Sequence, residues 1–472
     1  MTTAIQNLES YLDSFTQFEK RAAAHSLPWL EKLRRDAFAR FCERGFPTTH
    51  DEDWRFTNIA AVARTQFSLA QKDSTQFSWS GLEQWRVEGA GARLVFINGQ
   101  YARELSSFGT LPAGVLVSSL KAEISSRAKA IEAHFGRYLN IERDPFSALN
   151  TAFSDDGAYV HVPRGRVLEN PIHLLFVSTT TASPTMCHPR NLVIFEDESQ
   201  GTIMEEYVTA QETEQAPSQR EAGAVFCNSA TELIAGESAT VSHYMIEREH
   251  REAFHFSTLR IQQHRSANVA SHSLLIGGGL VRNNVHPVLA GQGGECLING
   301  LFVGNGRQHL DNYMHVEHAS PHSSSRQFYN GILDGQAHGV FHGRIVVHKD
   351  AQKTDAKQTN RNLLLSDDAQ IDTKPQLEIY ADDVKCTHGA TIGQIEENAL
   401  FYLRSRGLDE VSARQLLLLA FAGECLDRMK TGPARTHVEQ LIRGQLLGSF
   451  AANQTGTSQE PREAERTWEE VG

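Results

Sequence analysis

The chain has 472 residues, a formal net charge of −12 and 40% hydrophobic residues, enough apolar side chains for a substantial core and enough length for two or three domains or one elongated one. The acidic balance argues against a general binder of nucleic acid or anionic membrane. Six cysteines, Cys42, Cys187, Cys227, Cys296, Cys386 and Cys425, show no C-x-x-C spacing, which leaves neither a disulfide framework nor a zinc ribbon.

The first nine residues lack a basic start ahead of an apolar run, so no signal peptide is expected. Residues 1 to about 45 carry a helical period, with Trp29, Leu30, Leu33, Ala37 and Phe41 on one face and Gly45-Phe46-Pro47 as the stop. Residues 47–58 are polar around Trp54 and Phe56, two rings suited to anchoring the segment on a domain surface. Residues 80–140 mix short strands, 92–97 among them, with a helical piece at 124–135.

From about Gly157 to Thr391 the texture is β. Short runs at 158–162, 173–177, 192–195, 231–234, 240–244, 271–276, 345–347 and 376–380 alternate with Gly, Asn, Asp and Ser turns. A polar stretch at 209–222 interrupts them and reads as a mobile loop. Similar turn-to-strand entries recur at Ala239, Ala267, Glu295, Ser324 and Gln352, a step of 28 or 29 residues. Stacked β coils fit such a step, because each coil needs neighbours to bury its inner face. An antiparallel sandwich with evenly spaced strands is the alternative.

Beyond Gly393 the period returns to helical. One helix is expected at 394–406, closed by Gly407 in the C′ position, and a second at 409–429 with Ala413, Leu416, Leu417, Ala420 and Phe421 as its apolar stripe. A third follows at 436–447. The longest apolar run, 416–422, is far too short to cross a bilayer, and the expected location is cytoplasmic. From about Ser449 the tail is polar and expected to be disordered. The organisation is thus a helical and mixed region at 1–150, a β core at 151–393, helices at 394–448 and a tail at 449–472.

No G-x-x-x-x-G-K-[ST], G-x-S-x-G or H-E-x-x-H occurs, so the chain is not expected to hydrolyse ATP itself or to belong to the common hydrolase classes. The distinctive segment is Glu378-Ile-Tyr-Ala-Asp-Asp-Val-Lys-Cys-Thr-His-Gly-Ala-Thr391. Residues two apart on a strand share a face, which puts the Cys386 thiol and the His388 imidazole side by side. Such a pair suits binding a soft or borderline metal, or coupling a nucleophile to a base; a small core cysteine beside a turn-capping histidine is the bland alternative. Histidines crowd 286–348 (His286, His309, His315, His318, His322, His338, His342, His348). His338 and His342 share a strand face if no turn intervenes, so a structural metal site there is a candidate. Glu205-Glu206, Asp367-Asp368 and Asp382-Asp383 are poor catalytic pairs, since adjacent strand residues face opposite sides, and are expected as solvated turn charges. An open β-helix exposes unpaired backbone on its last coil, and here that coil ends in Cys386 and His388.

The run Asp372-Thr-Lys-Pro-Gln-Leu-Glu-Ile-Tyr-Ala-Asp-Asp-Val-Lys-Cys-Thr-His-Gly-Ala-Thr-Ile-Gly-Gln394, continued by Glu397-Asn-Ala-Leu-Phe-Tyr-Leu-Arg-Ser-Arg-Gly407, resembles the SufB/SufD family of the Suf iron–sulfur assembly system. Asp53-Trp-Arg-Phe-Thr57, Pro163-Arg-Gly165 and Glu169-Asn-Pro-Ile172 add weaker support. SufB-like chains carry an acidic residue and a different pattern at Cys-Thr-His-Gly-Ala-Thr, which places this chain on the SufD side. The resemblance implies a mainly β protein, a right-handed parallel β-helix flanked by α-helical N- and C-terminal regions. It implies a non-enzymatic scaffold that pairs with a SufB-like paralogue through the terminal coils, or with itself in the paralogue's absence. A SufC-like ABC ATPase would be recruited through the C-terminal helices, where Leu416, Leu417 and Phe421 are the candidate partner interface. It further implies His388, with Cys386 beside it, at the junction where a nascent iron–sulfur cluster is held transiently, with no tightly bound cofactor of its own and no nucleic-acid or membrane partner. A β-helical carbohydrate-active enzyme and a purely structural interaction module are the competing readings.

Overall fold

From Ala158 to Gly393 the chain winds into a parallel β-solenoid of about seven turns, with helices at both ends. The computed structural model describes residues 2–22, 27–71, 79–210 and 223–452. Each turn contributes one strand to each of two long sheets. The first sheet runs through Ala158–Val162, Arg190–Phe195, Val225–Ala235, Phe254–Gln263, Leu280–Leu289, His309–His318, His338–Val347 and Gln370–Ile379. The second runs through Ile172–Thr179, Gln200–Ala210, Thr240–Arg248, Asn268–Leu275, Glu295–Gly304, Ser324–Leu333, Asp355–Leu364 and Lys385–Gly393. The sandwich alternative therefore fails: successive strands of a sheet are parallel and one full coil apart.

The coil length is set at one corner. Glu198, Ser238, Ser266, Gly293, His322 and Lys353 all have positive φ, each two residues before a strand of the second sheet. The backbone N–H of each donates to the carbonyl of the same corner in the following coil, from Glu198 to Glu237 through Lys353 to Asp383. In register, Thr240 lies under Asn268, then Glu295, Ser324, Asp355 and Lys385. The turn starts expected at Ala239, Ala267, Glu295 and Ser324 match this register to within one residue. Gln352 does not: it lies in a turn, and its coil is longer because the corner shifts to Lys353.

Inward side chains form one continuous core from Ala70 to Ala381, with Phe96, Phe176 and Tyr207 stacked at 4.8 Å spacings. Phe96 belongs to Ala92–Ile97, a strand of the N-terminal region that pairs in parallel with Ile172–Thr179 and extends the second sheet. Antiparallel segments Gln100–Tyr101 and Ser107–Phe108 flank that strand, and Leu116–Ser119 covers Ala158–Val162. One end of the solenoid is thereby capped.

The N-terminal helices Thr2–Ala22 and Pro28–Arg44 pack beside Pro145–Ala152, where the Arg34 guanidinium donates to the Ser154 carbonyl at 3.0 Å. Gly45 ends the second helix at φ 67°. The expected anchoring by Trp54 occurs on the outer face of the first sheet. Its ring stacks on Phe146 at 5.1 Å and lies under the Arg282 guanidinium at 3.9 Å, and the Thr57 hydroxyl donates to Asp311 at 2.6 Å. The helical stretch expected at 124–135 is two short helices, Leu120–Ser126 and Ala128–Glu132.

After the last strand come helices Glu397–Ser405, Glu410–Leu426 and Pro433–Ala452, the last of which runs back to pack on Met204 and Tyr244 near the capped end. Gly407 follows the first at φ 95°, and the Asp409 carboxylate caps the second by accepting from the Ser412 N–H. The third runs past Ser449, where the tail was expected to begin. Most of the expected loop at 209–222 and of the tail lies outside the described residues. The second helix lies against the second sheet with Ala413, Leu418, Ala422, Cys425 and Leu426 buried. The expected stripe is corrected accordingly: Leu416 is exposed, while Leu417 and Phe421 are half-buried.

Glu205 and Glu206 are a second correction. They do face opposite sides, but inside a strand and fully buried rather than in a solvated turn. Glu205 points into the core, where His243 (3.2 Å), Thr231 and Tyr207 meet it. Glu206 faces outward beneath the last helix, held by His173 and His437 at 3.1 Å each and by Arg248 at 3.3 Å. Burial alone would raise its pKa, yet the hydrogen bonds from His173 and His437 outweigh that and hold it well below the ordinary 4.5. A carboxylate with a depressed folded pKa contributes stability that is complete above the unfolded value and declines as pH falls below it. His437→Leu is therefore expected to lower stability by about 2 kcal/mol at neutral pH, with the deficit shrinking below about pH 4, as urea-unfolding midpoints would show. A neutral-pH midpoint equal to that of the wild type would mean that this contact does not hold the helix.

Candidate functional site at the open end

The last two strands of the solenoid, Gln370–Ile379 and Lys385–Gly393, each pair on one side only. Their outer backbone groups therefore line an open edge, the arrangement that accepts an added strand. Burial falls sharply here. Residues along Lys385–Gly393 are exposed apart from Cys386, and Ile379, Tyr380 and Ile392 present 40%, 63% and 52% of their surface.

Cys386 and His388 both lie on that edge strand, over Ala356 and Gln358 of the preceding coil. Ala356 and Gln358 are buried interior positions, so both site residues are on the inward face, as their two-residue spacing predicted. The Cys386 side chain is half-buried and packs on the end of the core; His388 is exposed. Burial pushes the Cys386 thiol above its ordinary value of 9.0, partly offset by the Ala356 backbone and reinforced by Asp355. At neutral pH the isolated chain thus presents a protonated thiol, a weak ligand and nucleophile until a cation draws the proton off. Among the described residues, no third His, Cys, Asp or Glu joins the pair to complete a metal-binding group of three. The pair is two metal-capable donors on an open edge.

The crowded histidines are mostly accounted for by contacts. His309 meets Thr57 and stacks edge-on with His338, which pairs with Asp372 at 2.8 Å. His318 is buried between Ser323 and Ser325, and His322 occupies a corner. His338 and His342 do share the outward face of one strand, but His342 lies against Tyr313 and the two make no common site. The structure instead gathers His286, His315 and Glu317, whose donor atoms lie within 4.8 Å of one another. Glu317 bridges His286 and His348 at 3.2 and 2.7 Å, and Arg260, Arg282 and Arg344 line the adjoining cavity.

Sequence reading missed the apolar surface beside the edge. The Glu397–Ser405 helix buries none of its residues, leaving Phe401 and Tyr402 at 74% and 57% exposure, with Leu408 at 37% and Leu416 at 48% nearby in the chain. The signal was present: adjacent aromatics on a helix are turned about 100° apart, so a narrow stripe cannot bury both. The neighbouring helix is tied to the coils just before the edge. Arg361 pairs with Glu424, Asn330 donates to the Phe421 carbonyl at 2.9 Å, and Asn299 donates to the Cys425 carbonyl at 2.9 Å.

Capped at one end, open at the other, and carrying a thiol and an imidazole on its free edge, the molecule is a parallel β-solenoid with an unpaired terminal coil. The chain belongs to the SufBD family. Residues 176–421 match the SUF system FeS cluster assembly SufBD core domain, and residues 5–174 match the SufBD protein N-terminal region. It is 35% identical to an iron–sulfur cluster assembly SufBD family protein of Synechocystis over 84% of this chain and 86% of the relative. It is 30% identical to the iron–sulfur cluster assembly protein SufD of Escherichia coli over 86% and 90% of the two chains. SufD of Bacillus subtilis is 24% identical over 89% and 94%. No helix among the described residues is long and apolar enough to cross a membrane.

Native-state alkylation with iodoacetamide at neutral pH, read by mass spectrometry, should modify Cys386 and the half-buried Cys42 slowly. Cys187, Cys227, Cys296 and Cys425, all buried, should remain protected. Raising the pH should accelerate the Cys386 reaction as its thiolate forms; rapid modification at neutral pH would contradict the raised pKa.

Proposed function

We propose that this chain is a non-enzymatic scaffold subunit of the Suf iron–sulfur cluster assembly system. It pairs with a SufB-like paralogue through the open edge and recruits a SufC-like ABC ATPase through the C-terminal helices. The observation that carries this reading is the placement of Cys386 and His388, a ligand set lacking a third member, on one of the two last strands whose outer sides are free to accept another chain. The cluster being built is the cargo of this junction. Imidazole and thiolate both suit iron, and His388, the more exposed of the two, is the residue most available to it. Cys386 would contribute once a bound cation lowers its pKa. A second copy of this chain could occupy the same edge when the paralogue is absent.

ATP enters as a conformational drive supplied in trans. Binding of the ATPase to the exposed Phe401, Tyr402, Leu408 and Leu416 surface would load the Glu410–Leu426 helix. That helix's bonds to Asn299, Asn330 and Arg361 lead to the coils directly beneath the edge. Leu417 and Phe421, half-buried, would act on the solenoid side of the same helix.

Co-expression with SufB- and SufC-like partners and anaerobic reconstitution should give a complex whose iron–sulfur absorption and iron content fall about tenfold or more in His388→Ala, with gel filtration unchanged. Equal iron content in both would confine this chain to a structural role. Phe401→Ser with Tyr402→Ser should weaken capture of the ATPase subunit about tenfold or more while pairing with the SufB-like subunit persists; undiminished capture would remove that surface from the interface.

A further inference from the structure

Far from the open edge, the solenoid interior holds a cluster that the assembly site does not use. Cys187 ends a short strand, Thr185–Cys187, that pairs beside the start of Val225–Ala235; it is in register with Cys227, Cys227 with His255 on the next coil, and Val281, in the next position, belongs to the core. All three therefore face inward. Glu247 lies one residue before the end of the Thr240–Arg248 strand of the second sheet with its side chain inside, and Glu249 follows two residues later. Every one of these five residues is at most 5% exposed.

The interactions are unusual for an interior. Glu249 accepts from the Ser178 hydroxyl at 2.7 Å and meets His255 Nδ1 at 2.7 Å. Glu247 accepts only from the backbone N–H groups of Glu249 (2.8 Å) and Gly277 (3.3 Å). Among the described residues no lysine or arginine pairs with either carboxylate. His255 Nε2 is buried without any hydrogen-bond partner. A buried carboxylate pair with no cation and a bare imidazole nitrogen is costly, since groups removed from water need a partner or must lose their charge. Burial and Glu249 push the Glu247 carboxyl up. Burial, then Cys187 and the two carboxylates, do the same to the Cys227 thiol. As it stands, the cluster retains protons where a cation would otherwise sit.

The donor atoms of Cys227, Glu249 and His255 lie within 4.8 Å of one another. We infer that Cys227, His255 and Glu249, with Cys187 as the adjacent fourth donor, form an internal binding site for one divalent transition metal ion. Thiolate, imidazole and carboxylate together select zinc or ferrous iron over magnesium or calcium. His255 Nδ1 and Glu249 lie 2.7 Å apart, and an ion entering between them would bind both, the imidazole proton moving to Nε2. Binding would release the thiol proton to solvent and place a double positive charge beside the two carboxylates. The site would staple the first and second sheets together next to the capped end of the solenoid. It is chemically distinct from the His286, His315 and Glu317 group, where Glu317 already has two histidine partners and arginines line the cavity. This inference does not depend on the proposed role in cluster assembly.

The test uses untagged full-length chain purified without chelator, analysed for metals by inductively coupled plasma mass spectrometry, and expressed in parallel in cobalt-supplemented medium. One metal ion per chain that survives gel filtration, with thiolate-to-cobalt charge-transfer absorption in the cobalt form, is the expected result. Cys227→Ser and His255→Gln should abolish both, whereas His315→Ala should leave both intact. Metal-free wild type with no cobalt absorption overturns the inference. So does metal lost in His315→Ala but retained in a folded Cys227→Ser chain. If the buried substitutions prevent folding, the wild-type stoichiometry and cobalt spectrum decide the matter alone.

Discussion

The structure depends on coil-to-coil pairing. Every strand of a parallel solenoid satisfies its backbone through the coil before it and the coil after it, and buries its inward side chains against the same neighbours. The rule propagates through Phe96, Phe176 and Tyr207 and through the recurrent positive-φ corner. It cannot be satisfied at the ends. The N-terminal region meets it by supplying Ala92–Ile97 as an extra strand and closing the end with antiparallel segments. At the C-terminal end nothing among the described residues does so, and that asymmetry gives the molecule a direction: one covered end and one open end.

The helices are attached by a few buried polar contacts rather than by apolar area alone. Arg190 and Glu232 form a fully buried pair at 2.6 Å, with Glu232 also accepting from the Gly136 and Tyr138 N–H groups and Arg190 lying over the Phe135 ring. Glu206 does the equivalent for the last helix through His437. Such contacts specify where a helix docks, because a misplaced helix would strand a buried charge. By contrast, the Glu397–Ser405 helix has no buried anchor and leaves its aromatic surface open.

Much of this was legible in the chain. The step of 28 to 29 residues predicts stacked coils because a solenoid repeats its corner, and corners favour small or polar residues at fixed positions. The two-residue spacing of Cys386 and His388 places them on one face of a strand whatever the tertiary structure, since the side-chain period of a strand is two. The Asp409 cap and the Gly407 stop were equally local. The sequence also contains the long motif through which the family is recognised.

What the chain alone did not settle were the properties that depend on which face meets which neighbour. Glu205 and Glu206 read as solvent charges because nothing local reveals that His243 lies on one side and His437, 231 residues away, on the other. The apolar stripe of the Glu410–Leu426 helix was misplaced because leucines fill nearly every face there, and only docking against the second sheet selected Leu418 and Ala422 over Leu416. Cys187, Cys227, His255 and Glu249 are scattered over 69 residues and converge only when the coils stack in register. The sequence by itself determined the repeat, the strand period and the local caps, since those rest on backbone geometry within a few residues. The tertiary structure alone decided which end stays open, which charges are buried and which donors meet, since those rest on contacts between coils.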